Sequence, residues 1–403
     1  MVNRRTERLA NPMTHPLLDL AQLHAGELTE IRRDIHAHPE IGMNEHRTAD
    51  LVARKLEEWG IEVHRGVGQT GVVGVLRNGN GQASIGLRAD MDALPILEAT
   101  GLAYASQNPG LMHACGHDGH TTMLLGAAKL LAETRAFNGT VNFIFQPGEE
   151  GAGGALAMLQ DGLFERFPCD SVFGMHNRPG VPAGKFIIGQ GARYAGAAFF
   201  DIDIAGKGAH GARPDEGIDP VMVMFHLGAA LQSIVSRNIS ARDVAVLSVT
   251  RAHTGDAYNV VPETATMGGT VRTMRADVMK LIETNMRRLT ASIAQSFGAT
   301  ATLSFREIAS PVVNHREQTI AFGDAAADIG GEAELDRNAA PVMGSEDFAY
   351  MLEQVPGAHI GIGNGDSAGV HNHRYDFNDA IIPRGAALYA AIVEKQLPKG
   401  PGG

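Results

Sequence analysis

The sequence has few cysteines, little positive charge and no long apolar segment, and each shortage excludes a class of protein. Its two cysteines, Cys115 and Cys169, cannot form a disulfide framework and fit a reducing compartment. No run of apolar residues reaches the roughly 18 that a membrane-spanning helix needs. The 34 Lys and Arg residues are outnumbered by 45 Asp and Glu, and the net charge of −11 disfavours nucleic acid and anionic membranes as partners.

What is present indicates a soluble globular protein. Hydrophobic residues make up 44% of the 403 positions and charged residues 20%, which is the usual balance of a folded chain. The length favours two domains over one. Three arginines near the N-terminus, Arg4, Arg5 and Arg8, precede no apolar stretch of the kind that signal peptides contain. We therefore expect a cytoplasmic protein.

The order of predicted strands and helices divides the chain into three parts. Residues 15–190 alternate between strand and helix patterns, which predicts an α/β domain with a mostly parallel sheet flanked by helices. Residues 191–309 follow the order β-α-β-β-α-β of a ferredoxin-like α+β domain. Residues 310–396 complete the first domain, which the second therefore interrupts. Within the first part, the turn signal Asn78–Gly81 between two strand-like runs predicts a β-hairpin.

The segment His113–His120 concentrates metal-binding chemistry, because its eight residues contain one thiol, three imidazoles and one carboxylate. Cys115 and His117 flank Gly116, whose conformational freedom lets both side chains face one ion. Thiolate and imidazole together suit zinc and its neighbours far better than magnesium or calcium. A lone Cys-x-His pair is more typical of a buried cysteine beside helix-capping residues, so the interpretation depends on further ligands.

Later segments supply such ligands where predicted strands end. Glu149 and Glu150 follow one strand-like run, and paired carboxylates beside a buried strand need a compensating charge. His176 ends a second run, and His371 follows a third; ligands of open α/β sheets gather at this edge. The candidate ligands are Cys115, His117, Glu150, His176 and His371. Five ligands exceed the usual set of one zinc, so the number favours two ions about 3.5–4 Å apart with one bridging ligand.

Other polar residues fit the site less specifically. Asp90 and Asp92 leave another predicted strand, and each could bind a metal or orient a ligating histidine through its second nitrogen. We expect Asp90 to take the orienting role, because five ligands already fill the site. In the inserted domain, His210 lies in a glycine-rich loop, and Asn259 and Arg272 lie near strand ends. Histidine in a loop, and asparagine or arginine near a strand end, are common in proteins without a functional role. A guanidinium is nevertheless well suited to binding a substrate carboxylate.

Taken together, these motifs resemble the aminoacylase and carboxypeptidase family of dinuclear metallohydrolases, in the branch of hippurate hydrolases and auxin-conjugate amidohydrolases. The resemblance covers roughly residues 28–395, and the combination of motifs in one order is highly specific. The segments that carry it are His113–His120, Gln146–Glu150, Gly174–His176, Gly206–His210, Asn259–Glu263, Gly269–Arg272, Gly344–Phe348 and the residues around His371.

The resemblance implies a role for each matching residue of the metal centre. The five candidate ligands would hold two divalent ions of Mn, Zn, Co or Ni, with Cys115 as the bridge in place of the aspartate of the carboxypeptidase branches. Glu149 would be the general base. Many relatives have His-Asn-Pro where this chain has His371-Asn372-His373, so the choice of His371 over His373 depends on the position in the motif.

The resemblance also assigns roles to residues of the inserted domain, which would be a dimerisation and lid domain. His210 would stabilise the oxyanion, from the partner subunit of a homodimer or dimer-based oligomer. Asn259 and Arg272 would bind the carboxylate of a small-molecule substrate, with Ser345 nearby.

The implied activity is hydrolysis of N-acyl or N-aroyl amino acids, such as hippurate-like substrates, to a carboxylic acid and a free amino acid. Two alternatives stay open. The same centre would serve a dipeptidase or carboxypeptidase that acts on free peptides. A protein of another class, a metal-dependent small-molecule binding protein with a decayed site, would keep the ligands without turnover.

Overall fold

The computed structural model describes residues 15–399, which pack into two units. The first unit comprises the described residues up to Gln190, together with Asn314–Ala339 and the residues from Met351 onward. The second comprises Gly191–Val313 and Ala340–Tyr350. The structure thus groups Ala340–Tyr350 with the second unit, although the sequence prediction places these residues in the first domain. None of the helices within residues 15–399 is long and apolar enough to cross a membrane.

The first unit is built on an eight-stranded sheet. Its strands, in spatial order, are Glu62–Val67, Gly71–Asn78, Gly139–Gln146, Ser84–Asp90, Ser171–Pro179, Gly357–Gly365, Phe186–Ile187 and Leu335–Asp336. The four central strands, from Gly139–Gln146 to Gly357–Gly365, are mutually parallel. Antiparallel pairing is confined to the outer strands. The predicted mostly parallel sheet flanked by helices is confirmed.

The predicted hairpin around Asn78–Gly81 is wrong. The strand Gly139–Gln146 lies between Gly71–Asn78 and Ser84–Asp90, antiparallel to the first and parallel to the second. The turn is closed by a distant side chain, because the Asn138 Oδ1 accepts hydrogen bonds from the backbone N–H groups of Asn80 and Gly81 at 3.0 and 2.8 Å. A local turn signal cannot show that a third strand enters between the two it joins.

Helices pack against this sheet. Those with most of their length in the first unit are Pro16–Leu23, Ala25–Ala37, His46–Glu58, His117–Thr134, Gly154–Gln160, Leu163–Arg166, Arg316–Gly330 and Ile382–Gln396; Phe348–Leu352 begins in the second unit. His117–Thr134 is buried on nearly every side, including the polar side chains of its first turns. It packs against Ile382–Gln396 and Ala25–Ala37, so its first turn is fixed from several directions.

The second unit has the predicted ferredoxin-like arrangement. Its four antiparallel strands are, in spatial order, Ala245–Thr254, Thr264–Thr273, Gly196–Ala205 and Thr300–Ala309. The helices Pro220–Ser233 and Ala276–Ser296 share an apolar core with this sheet. A short ribbon pairs Ala209–His210 with Val260–Val261, and the short strands Gly191–Tyr194 and Val312–Asn314 lie near the limits of the segment.

A buried ionic network holds the first turn of the helix His117–Thr134. The Arg32 guanidinium lies 3.5 Å from Asp118 Oδ2 and 2.6 Å from Asp379 Oδ1. The His36 ring contacts the Asp118 carboxylate at 2.8 Å and that of Glu98 at 3.4 Å. Burial lowers the pKa of His36, but the two carboxylates outweigh it and raise the pKa to about 9. His36 is therefore a cation in the folded protein at neutral pH.

This raised pKa predicts how stability depends on pH. The ordinary value near 6.5 applies in the unfolded chain, so between about pH 6.5 and 9 the folded state binds more protons at His36 than the unfolded state. Stability from His36 is complete below this window and is lost as the pH rises through it. For a fully buried group, the free energy of unfolding would fall by about 3 kcal/mol across this window. Urea unfolding of wild type and His36→Gln across the window should give a steeper decline for the wild type; parallel curves would contradict the prediction.

Candidate metal centre

The carboxyl ends of three parallel neighbours in the first sheet bring the candidate residues to one edge. Ser84–Asp90 ends at Asp90, with Asp92 two residues later. Gly139–Gln146 leads to Glu149 and Glu150, and Ser171–Pro179 contains His176. Their register is parallel, so the three ends point the same way and ligands converge there. The segment that carries Cys115 and leads into the helix His117–Thr134 lies at the same edge.

The thiol and two imidazoles form the buried part of the site. The Cys115 Sγ lies 3.3 Å from the His176 Nε2. The ligand atoms of Cys115, His117 and His176 all lie within 4.8 Å of one another, and all three side chains are buried. This spacing suits three ligands of one ion.

The carboxylates and the late histidine lie beside this group. The His371 Nε2 is 3.0 Å from the Glu150 Oε1, and both belong to a second group of close ligand atoms with Cys115. A third group joins Glu149 and Glu150 to His117. Cys115 therefore takes part in two separate groups, as a ligand between two ions would.

Two residues with left-handed backbone conformation make this convergence possible. Gly116 has a φ of 92° and precedes the helix at its N-cap, so Cys115 and His117 can both face the site. His371 has a φ of 63°, which is uncommon for a residue with a side chain. Its backbone N–H donates to the Ala114 carbonyl at 2.7 Å, which ties the loop of His371 to the segment of Cys115. Strain of this kind is concentrated at functional sites.

The aspartate that orients His117 is Asp92, so the expectation for Asp90 is corrected. The His117 Nδ1 lies 3.1 Å from Asp92 Oδ1, and the other oxygen of Asp92 accepts from the Glu150 N–H at 2.9 Å. Asp90 instead contacts His120 at 2.7 Å and Arg88 at 2.8 Å. Residues two apart in extended backbone face the same side, so the sequence alone could not distinguish the two aspartates.

The electrostatics of the site fit a bound cation. The His117 Nε2 is buried and makes no hydrogen bond within residues 15–399, whereas its Nδ1 is bonded to Asp92. Burial lowers the pKa of His117, but the charge of Asp90 and the neighbouring Cys115 outweigh it and raise the pKa. Burial raises the pKa of the Cys115 thiol. A cation would occupy the open side of His117 and favour the thiolate, and the sulfur, nitrogen and oxygen donors suit a transition metal.

The four remaining predicted residues lie in the second unit. His210 pairs in register with Val260, and the Asn259 carbonyl accepts from the Gly211 N–H at 2.7 Å, so His210 and Asn259 are neighbours. The His210 side chain is exposed, and its Nδ1 accepts from the Ala212 N–H at 3.0 Å.

Arg272 lies on the strand Thr264–Thr273 with its guanidinium 6.0 Å from the Phe199 ring. Within residues 15–399 its Nη1 is buried without a hydrogen bond, and burial lowers its pKa. Such a donor is available to an anionic ligand. Ser345 is half-buried in the segment Ala340–Tyr350.

The structure distinguishes the two late histidines. His371 contacts Glu150, as described above, whereas His373 belongs to none of the ligand groups found among the described residues. The side chains of both histidines are exposed, and the His373 carbonyl accepts from the Ala99 N–H at 2.8 Å. The geometry thus favours His371 as the ligand.

Comparison with known proteins agrees with this chemistry. Residues 86–395 match the model of peptidase family M20/M25/M40. The chain is 43% identical to a hippurate hydrolase of Campylobacter jejuni over 92% of this chain and 97% of that protein. It is 38% identical to IAA-amino acid hydrolase ILR1-like 2 of Arabidopsis thaliana, over 92% and 85% of the two chains. The solved YXEP protein of Bacillus subtilis, described as a dinuclear metal binding peptidase, superposes with a TM-score of 0.83 at 34% identity, over 93% and 99%.

Metal binding by matched variants should separate the two histidines. We expect His371→Ala to bind one of two divalent ions at least about tenfold more weakly than wild type, because a direct ligand is lost. His373→Ala is the matched control and should bind both ions as wild type does. Competition with a chelator, followed by metal analysis, measures both. The opposite pattern would assign the ligand role to His373.

Proposed function

This chain belongs to peptidase family M20/M25/M40 and is a metal-dependent amidohydrolase, and from this membership we propose its substrates and the roles of its residues. The substrates are N-acyl or N-aroyl amino acids, which it cleaves to a carboxylic acid and a free amino acid. The observation that carries the proposal is the convergence of a mixed ligand set, with Glu149 beside it, at one edge of the first sheet. The similarity to a hippurate hydrolase and an IAA-amino acid hydrolase supports this class of amide.

The proposed metal ligands are Cys115, His117, Glu150, His176 and His371. When bound, a pair of divalent ions lowers the pKa of water and polarises a carbonyl oxygen. Cys115 is proposed as the bridge, because it belongs to two of the ligand groups. Asp92 orients His117 through the contact at 3.1 Å, which leaves the Nε2 for the ion. Zn, Mn, Co and Ni all suit these donors.

Glu149 is the proposed general base. Its carboxylate lies within 4.8 Å of the ligand atoms of His117 and Glu150, so it can reach a water molecule placed in the centre. It takes a proton from the attacking water as the new carbon–oxygen bond forms, and it returns that proton to the amide nitrogen as the carbon–nitrogen bond breaks. The products are then a carboxylic acid and an amine, and Glu149 is regenerated.

Residues of the second unit bind the substrate in this proposal. His210 donates to the developing oxyanion, and Asn259 and Arg272 bind the substrate carboxylate, with Ser345 nearby. The buried, unbonded Nη1 of Arg272 supports its part, since an anion would satisfy it. The exposed position of His210 on its ribbon suits donation to the site of a second subunit, so we propose a homodimer that forms through this unit.

The composition supports a proposal for the cellular compartment and the partners of this enzyme. The net charge of −11 and the two cysteines support a cytoplasmic enzyme that acts on small molecules and binds neither nucleic acid nor membranes. The segments proposed as domains are a catalytic domain of residues 15–190 and 310–396 and a lid and dimerisation domain of residues 191–309.

Action on free peptides is the second candidate function, because a solved relative is described as a peptidase. A peptide substrate presents an α-amino cation where an N-acyl amino acid presents a neutral group, so the two need different pockets. A binding protein with a decayed site is less well supported, since Glu149 and all five candidate ligands lie together.

The substrate class is tested with protein loaded with a single divalent metal. We expect kcat/KM for benzoyl-glycine to exceed that for glycyl-glycine by at least about tenfold. Faster cleavage of the dipeptide would support the peptidase. Absence of turnover across a panel of acyl amino acids with Mn, Co and Zn would support the binding protein.

The roles of Glu149 and His210 can be tested together in mixed dimers. Glu149→Gln should retain metal but lose roughly 10²–10⁴-fold in turnover, because proton transfer is lost. His210→Ala should also be poorly active. Heterodimers of the two variants contain one complete site if His210 acts across subunits, so turnover should recover to roughly half that of wild type.

Two results would contradict these roles. Near-normal turnover of Glu149→Gln would exclude it as the base. Purified heterodimers that stay inactive would show that His210 acts within its own chain.

A further inference from the structure

Asn177 follows the candidate ligand His176 and is completely buried. Its four polar groups all contact residues in or beside the metal centre. Its backbone N–H donates to the His120 Nε2 at 3.0 Å, and its carbonyl lies 2.7 Å from the His176 Nδ1. Its side-chain Nδ2 donates to the Cys115 carbonyl at 2.6 Å, and its Oδ1 accepts from the Tyr375 hydroxyl at 2.8 Å.

The backbone contacts determine which nitrogen of each histidine carries a proton. Because a backbone N–H can only donate, the His120 Nε2 must accept, and the proton of His120 lies on Nδ1, where it is donated to Asp90 Oδ1 at 2.7 Å. A carbonyl can only accept, so the His176 Nδ1 carries a proton. The His176 Nε2, which faces Cys115, is then left with its lone pair for a ligand.

The side-chain contacts join two segments that carry candidate ligands. Cys115 precedes the helix His117–Thr134, and Tyr375 lies four residues after His371. Asn177 is 62 residues from Cys115 and 198 from Tyr375 in sequence, so its amide is a direct link between distant parts of the chain. Tyr375 is fully buried, which keeps its hydroxyl fixed on the Asn177 Oδ1.

The Asn177 amide and the Tyr375 hydroxyl occupy the space beside residue 116, which explains why a glycine lies between the candidate ligands Cys115 and His117. A Cβ at Gly116 would lie 2.4 Å from the Asn177 Nδ2 and 2.5 Å from the Tyr375 hydroxyl. The amide and hydroxyl thus pack directly against the backbone of the Cys115–His117 segment. A side chain at position 116 would push the link away from the Cys115 carbonyl.

We propose that Asn177 is a positioning residue of the metal centre. Its side-chain amide, together with the Tyr375 hydroxyl, sets the spacing between the segment of Cys115 and the loop of His371, and thereby the affinity for the two ions. Mutation of residues that hold ligands in place typically costs about 10–100-fold in metal affinity. This role rests on the metal centre proposed above.

A second buried asparagine offers a matched comparison. Asn142 is 1% exposed and lies on the same sheet, in the strand Gly139–Gln146. Its Nδ2 donates to the Pro168 carbonyl at 3.0 Å and to the Cys169 Sγ at 3.3 Å, and neither partner belongs to a ligand segment. Loss of its amide should affect stability without changing the metal centre.

The test compares cobalt binding in wild type, Asn177→Ala, Tyr375→Phe and Asn142→Ala. Affinity is measured by chelator competition, and the thiolate-to-cobalt charge-transfer band reports the geometry at Cys115. We expect Asn177→Ala to lose about 10–100-fold in affinity for at least one ion, and Tyr375→Phe, which removes one oxygen atom, to lose about tenfold. Both should shift or weaken the band. Asn142→Ala should bind within about twofold of wild type with the same band, even if its Tm falls.

The outcomes distinguish this role from the proposed function itself. Wild-type affinity and an unchanged band in both Asn177→Ala and Tyr375→Phe would overturn the positioning role alone. If Asn177→Ala does not fold, Tyr375→Phe decides the question. A wild-type protein that binds no cobalt would overturn the metal centre and this role together.

Discussion

The first unit depends on charge compensation where the carboxyl ends of its central strands meet. Asp90, Asp92 and Glu150 all gather beside the buried ligands at this edge. Arg88 binds Asp90 directly, but the buried Nε2 of His117 makes no hydrogen bond among the described residues. Buried carboxylates without counter-charges are costly. Two cations would balance this group of donors, and the surrounding structure holds the donors ready for them.

The packing of the first unit holds these donor side chains in place. The helix His117–Thr134 is buried on nearly all sides, which fixes its axis, while the network of Arg32, His36 and Asp118 fixes its first turn. Gly116 then allows the chain to turn sharply before it. Ligand geometry at a metal site must hold to within about half an ångström, and rigid elements on several sides give that precision. Loops alone, including the loop that carries His371, could not hold the ligands with that precision.

Much of the site could be predicted from the sequence, because its signals are local. Cys115 and His117 flank a glycine at a helix start, and Glu150 and His176 follow apolar runs that read as strands; the structure brings these residues and His371 together. The roles that depend on long-range contacts could not be predicted. Asp90 and Asp92 are two residues apart and face the same side of an extended backbone, and only their partners separate them. Asn177 gives no signal of its own, since the groups that it joins are up to 198 residues away.

The class of the fold and the spatial order of its strands depend on different features of the sequence. Alternating patterns of strand and helix fix the class of the sheet, and the β-α-β-β-α-β order identifies the second unit. The order of strands in space is set by burial instead. Ser84–Asp90 is buried along nearly all its length and therefore needs neighbours on both edges, which Gly139–Gln146 and Ser171–Pro179 supply. The turn Asn78–Gly81 carries no information about them.

The central claim is that one protein chain holds two cations at this edge, with Cys115 between them. Crystals of the protein loaded with zinc or manganese, measured at the absorption edge of the metal, test it most directly. Two anomalous peaks are expected about 3.5–4 Å apart, both within bonding distance of the Cys115 Sγ, with His117, His176, Glu150 and His371 as further ligands. A single peak, or two peaks that do not share Cys115, would contradict it.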